Sequence, residues 1–201
     1  MKKNKISFGT NFWSAYEAGN PYDALHAFFD FSHLDEYKQI LSDVVIYNYR
    51  WGIYKQDNPS HVFVIYTALS SFIKVCNCLK RKSRKWQVKG SGDYSSIVHL
   101  ASLSKEEYKN PFKVFQRAFE EKSLEQFEFF LCEIVHLSLS PHEGESNNDI
   151  ITPYVHLIKM LDAGQLIMER GIEKIKKENL SEDIYPLSNK TTFIKTSKKT
   201  L

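Results

Sequence analysis

One short motif occurs twice, ninety residues apart, and it limits what this chain can fold into. Residues 14–22 and 104–112 both read Ser-x-x-Glu-x-x-Asn-Pro, followed by Tyr in the first copy and Phe in the second. A serine with a glutamate three residues later forms a capping box at a helix start. Asn-Pro starts a further helix, because proline lacks an amide that would have no partner there. Each copy therefore predicts a short helical turn, a corner and a longer helix.

The similarity continues beyond the motif, because apolar residues recur at helical spacing in both copies. At the offset of ninety, one stripe of the first copy matches one of the second: Leu34, Tyr37, Ile40, Leu41, Val44 and Val45 align with Leu124, Phe127, Phe130, Leu131, Ile134 and Val135. The offset becomes 88 in the following turn, where length changes are cheapest, and residues 61–79 then match residues 149–167. Coincidence between amphipathic helices is the alternative, but four polar or proline matches in one motif favour duplication.

These patterns predict an all-α fold, a helical bundle built from two quasi-repeated units of three to four helices joined by a basic connector. No segment shows the alternating pattern and turn residues that are typical of a β-hairpin. We expect unit 1 at residues 1–79, the connector at 80–103, unit 2 at 104–181 and a flexible tail at 182–201. The tail is rich in Lys, Thr and Ser, a composition that does not bury a core.

The positive charge of the chain is concentrated in the connector. The formal net charge is only +3, yet residues 79–90 carry six basic and no acidic side chains. The basic residues surround Trp86: they are Lys80, Arg81, Lys82, Arg84, Lys85 and Lys89. Cations that pair with phosphates, next to a ring that stacks on a base, predict binding of nucleic acid or another polyanion. The alternative is that these cations only offset the negative end of a helix dipole.

An aromatic cluster at the end of the first unit's long helix is a candidate interaction surface. Its members are Tyr47, Tyr49, Arg50, Trp51 and Tyr54. Arginine and aromatic residues are enriched at interface hot spots, and the corresponding stretch of the second copy, HLSLSPHE, is not aromatic. The alternative is that these rings form the edge of the core.

Glu133 and His136 have the Glu-x-x-His spacing that helical di-metal sites use. Such sites need the same motif on a second helix, and the aligned residues of the first copy are Asp43 and Ile46. Motifs for phosphate loops, nucleophile elbows and zinc proteases are missing from the sequence. We therefore expect no metal, no cofactor and no marked catalytic residue.

The cysteine count and the start of the chain favour a cytoplasmic location. Three cysteines, Cys76, Cys78 and Cys132, are an odd number that fits a reducing compartment, where we expect them to be small buried side chains. The basic start lacks the apolar run of a signal peptide. We find no window that approaches the run of about 20 apolar residues of a spanning helix. We expect no membrane partner.

A duplicated helical fold without a catalytic signature favours a non-enzymatic interaction or regulatory module that binds another protein. The first alternative is a nucleic-acid-binding accessory protein that uses the connector around Trp86. The second alternative is an enzyme with a pocket between the two units that no motif marks, so whether the chain is an enzyme stays open. A homodimer is a further option, because repeat proteins with aromatic surfaces often self-associate.

Overall fold

Helices make up most of the structure, a computed structural model that describes residues 20–47, 60–90, 102–140 and 148–175. These ranges contain seven helices and one two-stranded antiparallel sheet. The helices are α1 (Pro21–Phe31), α2 (Leu34–Tyr47), α3 (Ser60–Lys82), α4 (Lys105–Lys109), α5 (Phe112–Glu121), α6 (Leu124–Leu139) and α7 (Ile151–Arg170). The strands are β1 (Trp86–Val88) and β2 (Ile172–Lys174). The predicted helical character is confirmed, whereas the small sheet was not expected.

The helices begin where the capping residues of the sequence place them. The side chain of Asn20 accepts hydrogen bonds from the backbone N–H groups of Tyr22 (2.8 Å) and Asp23 (3.3 Å) at the start of α1. Two capping boxes, Ser104 with Glu107 and Ser123 with Gln126, start α4 and α6. Each box satisfies two backbone donors that the helix itself leaves free.

The second Asn-Pro pair behaves differently from the first. Helix α5 begins one residue later than expected, at Phe112. Asn110 contributes its backbone carbonyl, which accepts from the N–H of Lys113 at 3.0 Å. An Asn-Pro pair therefore stands at a helix start in both copies, but its hydrogen bonding is not identical. The short turn and the Ser14–Glu17 capping box predicted for the first copy lie outside the described residues.

A single hydrophobic core takes side chains from both halves of the chain. Helix α3 packs against α1, α5 and α6, and α7 packs against α1, α2 and α5. Each of these two long helices therefore contacts elements from its own half and from the other half. The predicted division into units, connector and tail stays a prediction, since nothing in this packing separates the halves.

Stacked aromatic rings fill the centre of the core beside α1. The ring of Phe28 lies between Tyr37, at 4.0 Å between centroids, and Phe72, at 4.5 Å. The hydroxyl of Tyr37 donates to the backbone carbonyl of Phe28 at 2.8 Å, so the buried phenol has a partner. Large aromatic side chains of this kind contribute much of the apolar area that the fold buries.

Helix α3 is the most apolar long helix of the described part of the chain. Residues 61–82 reach a mean hydropathy of 1.7, which meets the length and composition of a membrane-spanning helix. The expectation that no window comes near this threshold is therefore wrong. Burial within the chain covers 56% of this window, as is typical of the central helix of a bundle. The absence of a membrane partner stays a prediction.

The two strands form a short ribbon at the ends of α3 and α7. Residue pairs Trp86 with Lys174, Gln87 with Glu173 and Val88 with Ile172 face each other across it. Gly171 connects α7 to β2 with φ of 71° and ψ of 172°, a conformation that only glycine adopts readily. The predicted connector thus continues α3 for three residues and then enters β1, while residues 91–101 lie outside the described part.

Candidate functional site

The six basic residues of the connector gather at one end of the molecule and form what we call the basic surface: Lys80, Arg81, Lys82, Arg84, Lys85 and Lys89. The first three lie in the last turn of α3, the next two in the turn that follows, and Lys89 directly after β1. Arg81, Arg84, Lys85 and Lys89 are exposed and Lys82 is half-buried. The fold therefore presents these charges to solvent.

Ion pairing distinguishes the basic surface from six other cations of the molecule, although Lys105, Lys109, Arg170 and Lys174 also have no carboxylate partner in the described ranges. Among the described residues, six cations elsewhere contact a carboxylate: Lys38, Lys74, Lys113, Arg117, Lys122 and Lys159. None of the six cations of the basic surface pairs with a carboxylate in the ranges that the structure covers. Their charge is not neutralised there and remains available to an external anion.

Lys80 is the exception within the basic surface, because its ammonium group already has protein partners. Its Nζ donates to the backbone carbonyl of Phe119 at 3.3 Å and lies 5.6 Å from the centre of the Phe119 ring. This side chain holds the end of α3 against α5. Arg81 has a weaker contact, because its Nη2 donates to Sγ of Cys78 at 3.6 Å, but the guanidinium keeps its other donors. Five cations, not six, can therefore contact a ligand.

Trp86 is half-buried and faces the helices, not solvent. Side chains alternate between the two faces of a strand, so Trp86 and Val88 share one face of the ribbon with Ile172. All three pack against the hydrophobic core. The ammonium group of Lys174 lies 5.8 Å from the centre of the Trp86 ring. The Trp86 ring packs against the core and has the Lys174 ammonium group beside it, so little of its surface is left for the predicted stacking of a base.

The opposite face of the ribbon is fully exposed and mostly polar. Lys85, Gln87 and Lys89 project from the first chain segment and Glu173 and Ile175 from the second. The amide of Gln87 donates to the carboxylate of Glu173 at 2.9 Å. Glu173 is thus a negative charge placed among the cations of the basic surface.

The predicted aromatic interaction surface is largely untested. Only Tyr47 lies within the described residues, where it is half-buried and packs against the core. Tyr49, Arg50, Trp51 and Tyr54 lie outside the described residues. For Tyr47, the alternative of a core-edge side chain fits the observed packing.

An apolar groove between α3 and α6 was missed by the sequence argument. It has a volume of about 480 Å³ and is lined by Phe63, Tyr66, Cys132, Val135, His136, Leu139 and Ser140. Phe63 is 56% exposed and the nearby helix α6 also carries Phe129, which is 60% exposed. Both rings lie on the exposed faces of helices whose opposite faces fill the core. Helical periodicity identifies the buried face, so it gave no reason to assign a function to these two rings.

A charged cleft of about 700 Å³ lies between α5 and α7, with the carboxylate of Glu107 at its edge. Glu107 is buried and accepts from Ser104 N–H (2.9 Å), Arg117 Nη1 (3.0 Å) and Lys159 Nζ (3.0 Å). Burial alone raises the pKa of this carboxyl, but the hydrogen bonds from Ser104 and Lys159 outweigh it and hold the pKa at about 2. His156 pairs with Glu121 at 2.8 Å in the same cleft.

The charges of this cleft are used within the protein. Arg117 and Lys159 neutralise Glu107, and this network joins α4, α5 and α7. A catalytic site generally keeps a polar group available for a substrate, whereas here each of these charges has a partner. The cleft is therefore a weaker basis for a function than the basic surface.

The residues considered for metal binding do not converge in the described part of the chain. Glu133 accepts from the amide of Asn148 at 2.6 Å, and His136 lines the apolar groove. No group of three or more His, Cys, Asp or Glu side chains comes together within those ranges. The described residues thus do not assemble a set of metal ligands.

The cysteines differ in exposure, contrary to the expectation that all three are buried. Cys76 is fully buried, and desolvation raises the pKa of its thiol, which makes it unreactive. Cys78 is half-buried. Cys132 is exposed in the apolar groove, so the expectation is wrong for it, because its position on α6 points away from the packed face.

Comparison with known proteins leaves these surfaces as the basis for a functional argument. No family model, no curated protein and no solved structure matches the chain. The predicted cytoplasmic location stays a prediction.

Proposed function

We propose that this chain is a nucleic-acid-binding accessory protein and that its basic surface contacts phosphate groups. The observation that carries the proposal is the set of five cations without a carboxylate partner in the described ranges: Arg81, Lys82, Arg84, Lys85 and Lys89. Clustered lysine and arginine side chains attract the phosphate backbone and release its bound counterions. The proposal places protein binding second, because protein binding was expected from the duplicated helical fold, whereas the basic surface is a defined set of charges among the described residues.

Stabilisation of the helix end does not account for the whole basic surface. The dipole of α3 acts within the last helical turn, which contains Lys80, Arg81 and Lys82. Arg84, Lys85 and Lys89 lie beyond the helix, in the turn and after β1. These three cations have no carboxylate partner in the described ranges, and binding of an external anion explains their clustering better than the helix dipole does.

The salt dependence of binding tests the proposal. We expect the full chain to bind a short nucleic acid of mixed sequence, measured by fluorescence anisotropy. Five phosphate contacts give a slope of log K against log salt of about −4 to −5. An affinity that does not change with salt would contradict the proposal. Binding to vesicles of anionic lipid, without binding to nucleic acid, would also contradict it.

A pair of charge-neutral variants locates the site. The change Arg84→Gln with Lys85→Gln is expected to weaken binding and to reduce the salt slope by about 2, because two phosphate contacts are lost. The matched control is Lys105→Gln with Lys109→Gln, which removes two exposed cations of α4 that also have no carboxylate partner in the described ranges. Equal losses in both double variants would show that net charge, and not this surface, determines binding.

Protein binding is a second candidate function, favoured by the apolar groove between α3 and α6. The exposed rings of Phe63 and Phe129 and the apolar lining give a surface that water solvates poorly. A cleft between two helices accepts the apolar face of a third helix by ridges-into-grooves packing. We therefore propose an amphipathic helix of a partner protein as the occupant of this groove.

Matched aromatic substitutions test this second function. We expect Phe63→Ser, which removes an exposed ring of the groove lining, to abolish a specific partner complex in a pull-down from an extract of the native cells. Phe31→Ser removes an aromatic ring that is 47% exposed on α1, outside the groove lining, and should retain the complex. Identical sets of bound proteins for both variants would eliminate the groove as a docking site.

We also infer that the two halves arose by tandem duplication, and helix boundaries support this. Helices α1 and α5 end at Phe31 and Glu121, and α2 and α6 begin at Leu34 and Leu124, each pair ninety residues apart. The third pair, α3 and α7, ends at Lys82 and Arg170, at the predicted offset of 88. A strand follows each of these helices.

The packing of the helices gives independent support for this duplication. The more extensive helix contacts have counterparts under exchange of the halves, whereas the smaller contact of α2 with α3 and those of α4 do not: α1 with α3 corresponds to α5 with α7, and α1 with α7 corresponds to α5 with α3. Likewise α3 with α6 corresponds to α7 with α2, while α2 with α6 is its own counterpart. Such a pattern is typical of two units related by an approximate two-fold axis. Superposition of Cα atoms tests it: helix triplets that pack with opposite handedness would contradict duplication.

A further inference from the structure

The ribbon is symmetric about the pair formed by Trp86 and Lys174. These two residues face each other, and they also correspond to each other at the offset of 88 between the halves. On one side of them Gln87 faces Glu173; on the other, the carbonyl of Lys85 accepts from the N–H of Ile175 at 3.0 Å. At the same offset of 88, Gln87 corresponds to Ile175 and Lys85 corresponds to Glu173. Exchange of the two halves therefore converts the pair Gln87–Glu173 into the pair Ile175–Lys85, so the backbone of the ribbon has a local two-fold axis through its centre.

The faces of this ribbon have different chemistry. The inner face carries Trp86, Val88 and Ile172 and packs on the core. The outer face carries Lys85, Gln87 and Lys89, with Glu173 and Ile175 from the other strand segment. In the described part of the chain, the large exposed apolar side chains include no aromatic residue on the ribbon. The outer face can therefore contact phosphates but offers no ring on which a base could stack.

We propose that the ligand of the basic surface is double-stranded nucleic acid, bound through its phosphates with the outer face of the ribbon against the backbone. This inference rests on the proposed function. Single-strand-binding proteins use aromatic rings on which bases stack, and the one ring of the ribbon, Trp86, is half-buried and packs against the core. The two-fold axis applies to the backbone of the ribbon and not to its charges, because it relates Lys85 to Glu173. A duplex is favoured because its phosphates can be contacted by the exposed cations without contact to the bases. Binding of this kind is independent of base sequence.

Glu173 gives the inference a sensitive test. Its carboxylate stands on the outer face beside Lys85 and Lys89, so it repels a phosphate that approaches the ribbon. Glu173→Gln keeps a polar partner for Gln87 and removes the repulsion. We expect this change to increase affinity for a duplex about two- to five-fold at low salt. Glu125→Gln is the matched control, because it removes an exposed carboxylate at the start of α6 and should leave affinity unchanged.

The deciding experiment compares a duplex with a single strand that has the same number of phosphates, using fluorescence anisotropy. We expect tighter binding of the duplex, and affinities for both ligands that stay within about two-fold in Trp86→Leu, which keeps an apolar side chain against the core but has no aromatic ring. If a base stacked on Trp86, loss of the ring would weaken single-strand binding by about five-fold or more. Circular dichroism confirms that each variant retains its helical structure.

Two negative outcomes are distinguishable. Equal or tighter binding of the single strand, together with its loss in Trp86→Leu, would overturn the duplex inference and leave the proposed function intact. The duplex inference is also overturned, and the proposed function left intact, if Glu173→Gln changes duplex affinity no more than Glu125→Gln does. Failure of both ligands to bind in a salt-dependent manner would overturn the proposed function, and this inference with it.

Discussion

Individual polar atoms in the core of this protein are placed against specific partners. The hydroxyl of Tyr37 donates to the carbonyl of Phe28, and Ser102 donates to the buried carboxylate of Asp162 at 2.5 Å. Lys38 forms an ion pair with the other oxygen of Asp162. Removing one partner of a buried polar pair costs more than the pair contributes, because the remaining group loses its hydration.

Tyr37 allows the ring and the hydroxyl to be assessed separately. Tyr37→Phe keeps the stacking on Phe28 and loses one hydrogen bond, so we expect the free energy of unfolding to fall by about 1 kcal/mol. Phe28→Ala removes a fully buried ring between Tyr37 and Phe72 and should cost about 3 to 5 kcal/mol. Urea denaturation measures both changes. A larger loss for Tyr37→Phe than for Phe28→Ala would show that the hydroxyl, and not the ring stack, dominates this part of the core.

Glu107 makes stability depend on pH in the acidic range. Its pKa is about 2 in the folded chain against an ordinary value of 4.5, so folding favours the charged form. The contribution is present above about pH 4.5 and is lost as the pH falls towards 2. We expect Glu107→Gln to cost about 1 to 2 kcal/mol at neutral pH, after allowance for solvent screening in the cleft.

The difference between the unchanged protein and Glu107→Gln should shrink as the pH falls from 4.5 towards 2. Thermal denaturation at a series of pH values measures it. A difference that stays constant over this range would mean that the charge of Glu107 does not contribute to stability.

At the scale of elements, the sequence predicted helix starts better than helix ends. Capping boxes at Ser104 and Ser123 were predictable because the hydrogen bonds involved are local. The ribbon was not predictable, because three-residue strands are too short for an alternating pattern. Their pairing depends on residues 84 to 88 positions apart, which only the tertiary fold brings together.

Gly171 is the turn on which the ribbon depends. Its φ of 71° and ψ of 172° are strained for any side chain, and its carbonyl accepts the N–H of Lys89 at 3.1 Å. We expect Gly171→Ala to reduce the free energy of unfolding by about 1 to 3 kcal/mol. In this variant, compared with the unchanged protein, we expect hydrogen exchange to become faster at the backbone amides of β1 and β2 and to stay the same at those of α1. Unchanged exchange in the ribbon would contradict this role.

The candidate site was predictable in composition but not in geometry. The charge imbalance of residues 79–90 is visible in the sequence, and the structure places those cations in solvent. The sequence could not show that Lys80 binds Phe119, that Trp86 packs against the core beside Lys174, or that Glu173 lies on the outer face among the cations. All of these depend on contacts between distant parts of the chain.

At the scale of the whole molecule, both halves share one core and are not expected to melt separately. Helices α3 and α7 each bury side chains against helices of both halves. We therefore expect a single calorimetric transition whose van't Hoff enthalpy equals the calorimetric enthalpy. Two resolved transitions would show that the halves are independent domains.

The ribbon also sets when the proposed binding surface is complete during synthesis. Trp86 leaves the ribosome long before Lys174, its partner across the ribbon. At about 5 to 20 residues per second, the interval is roughly 4 to 18 s. Until then β1 is an unpaired edge, and Lys85 and Lys89 on either side of it lack the partner strand. If the proposed binding is correct, a nascent chain cannot bind nucleic acid through a complete ribbon until Lys174 has left the ribosome.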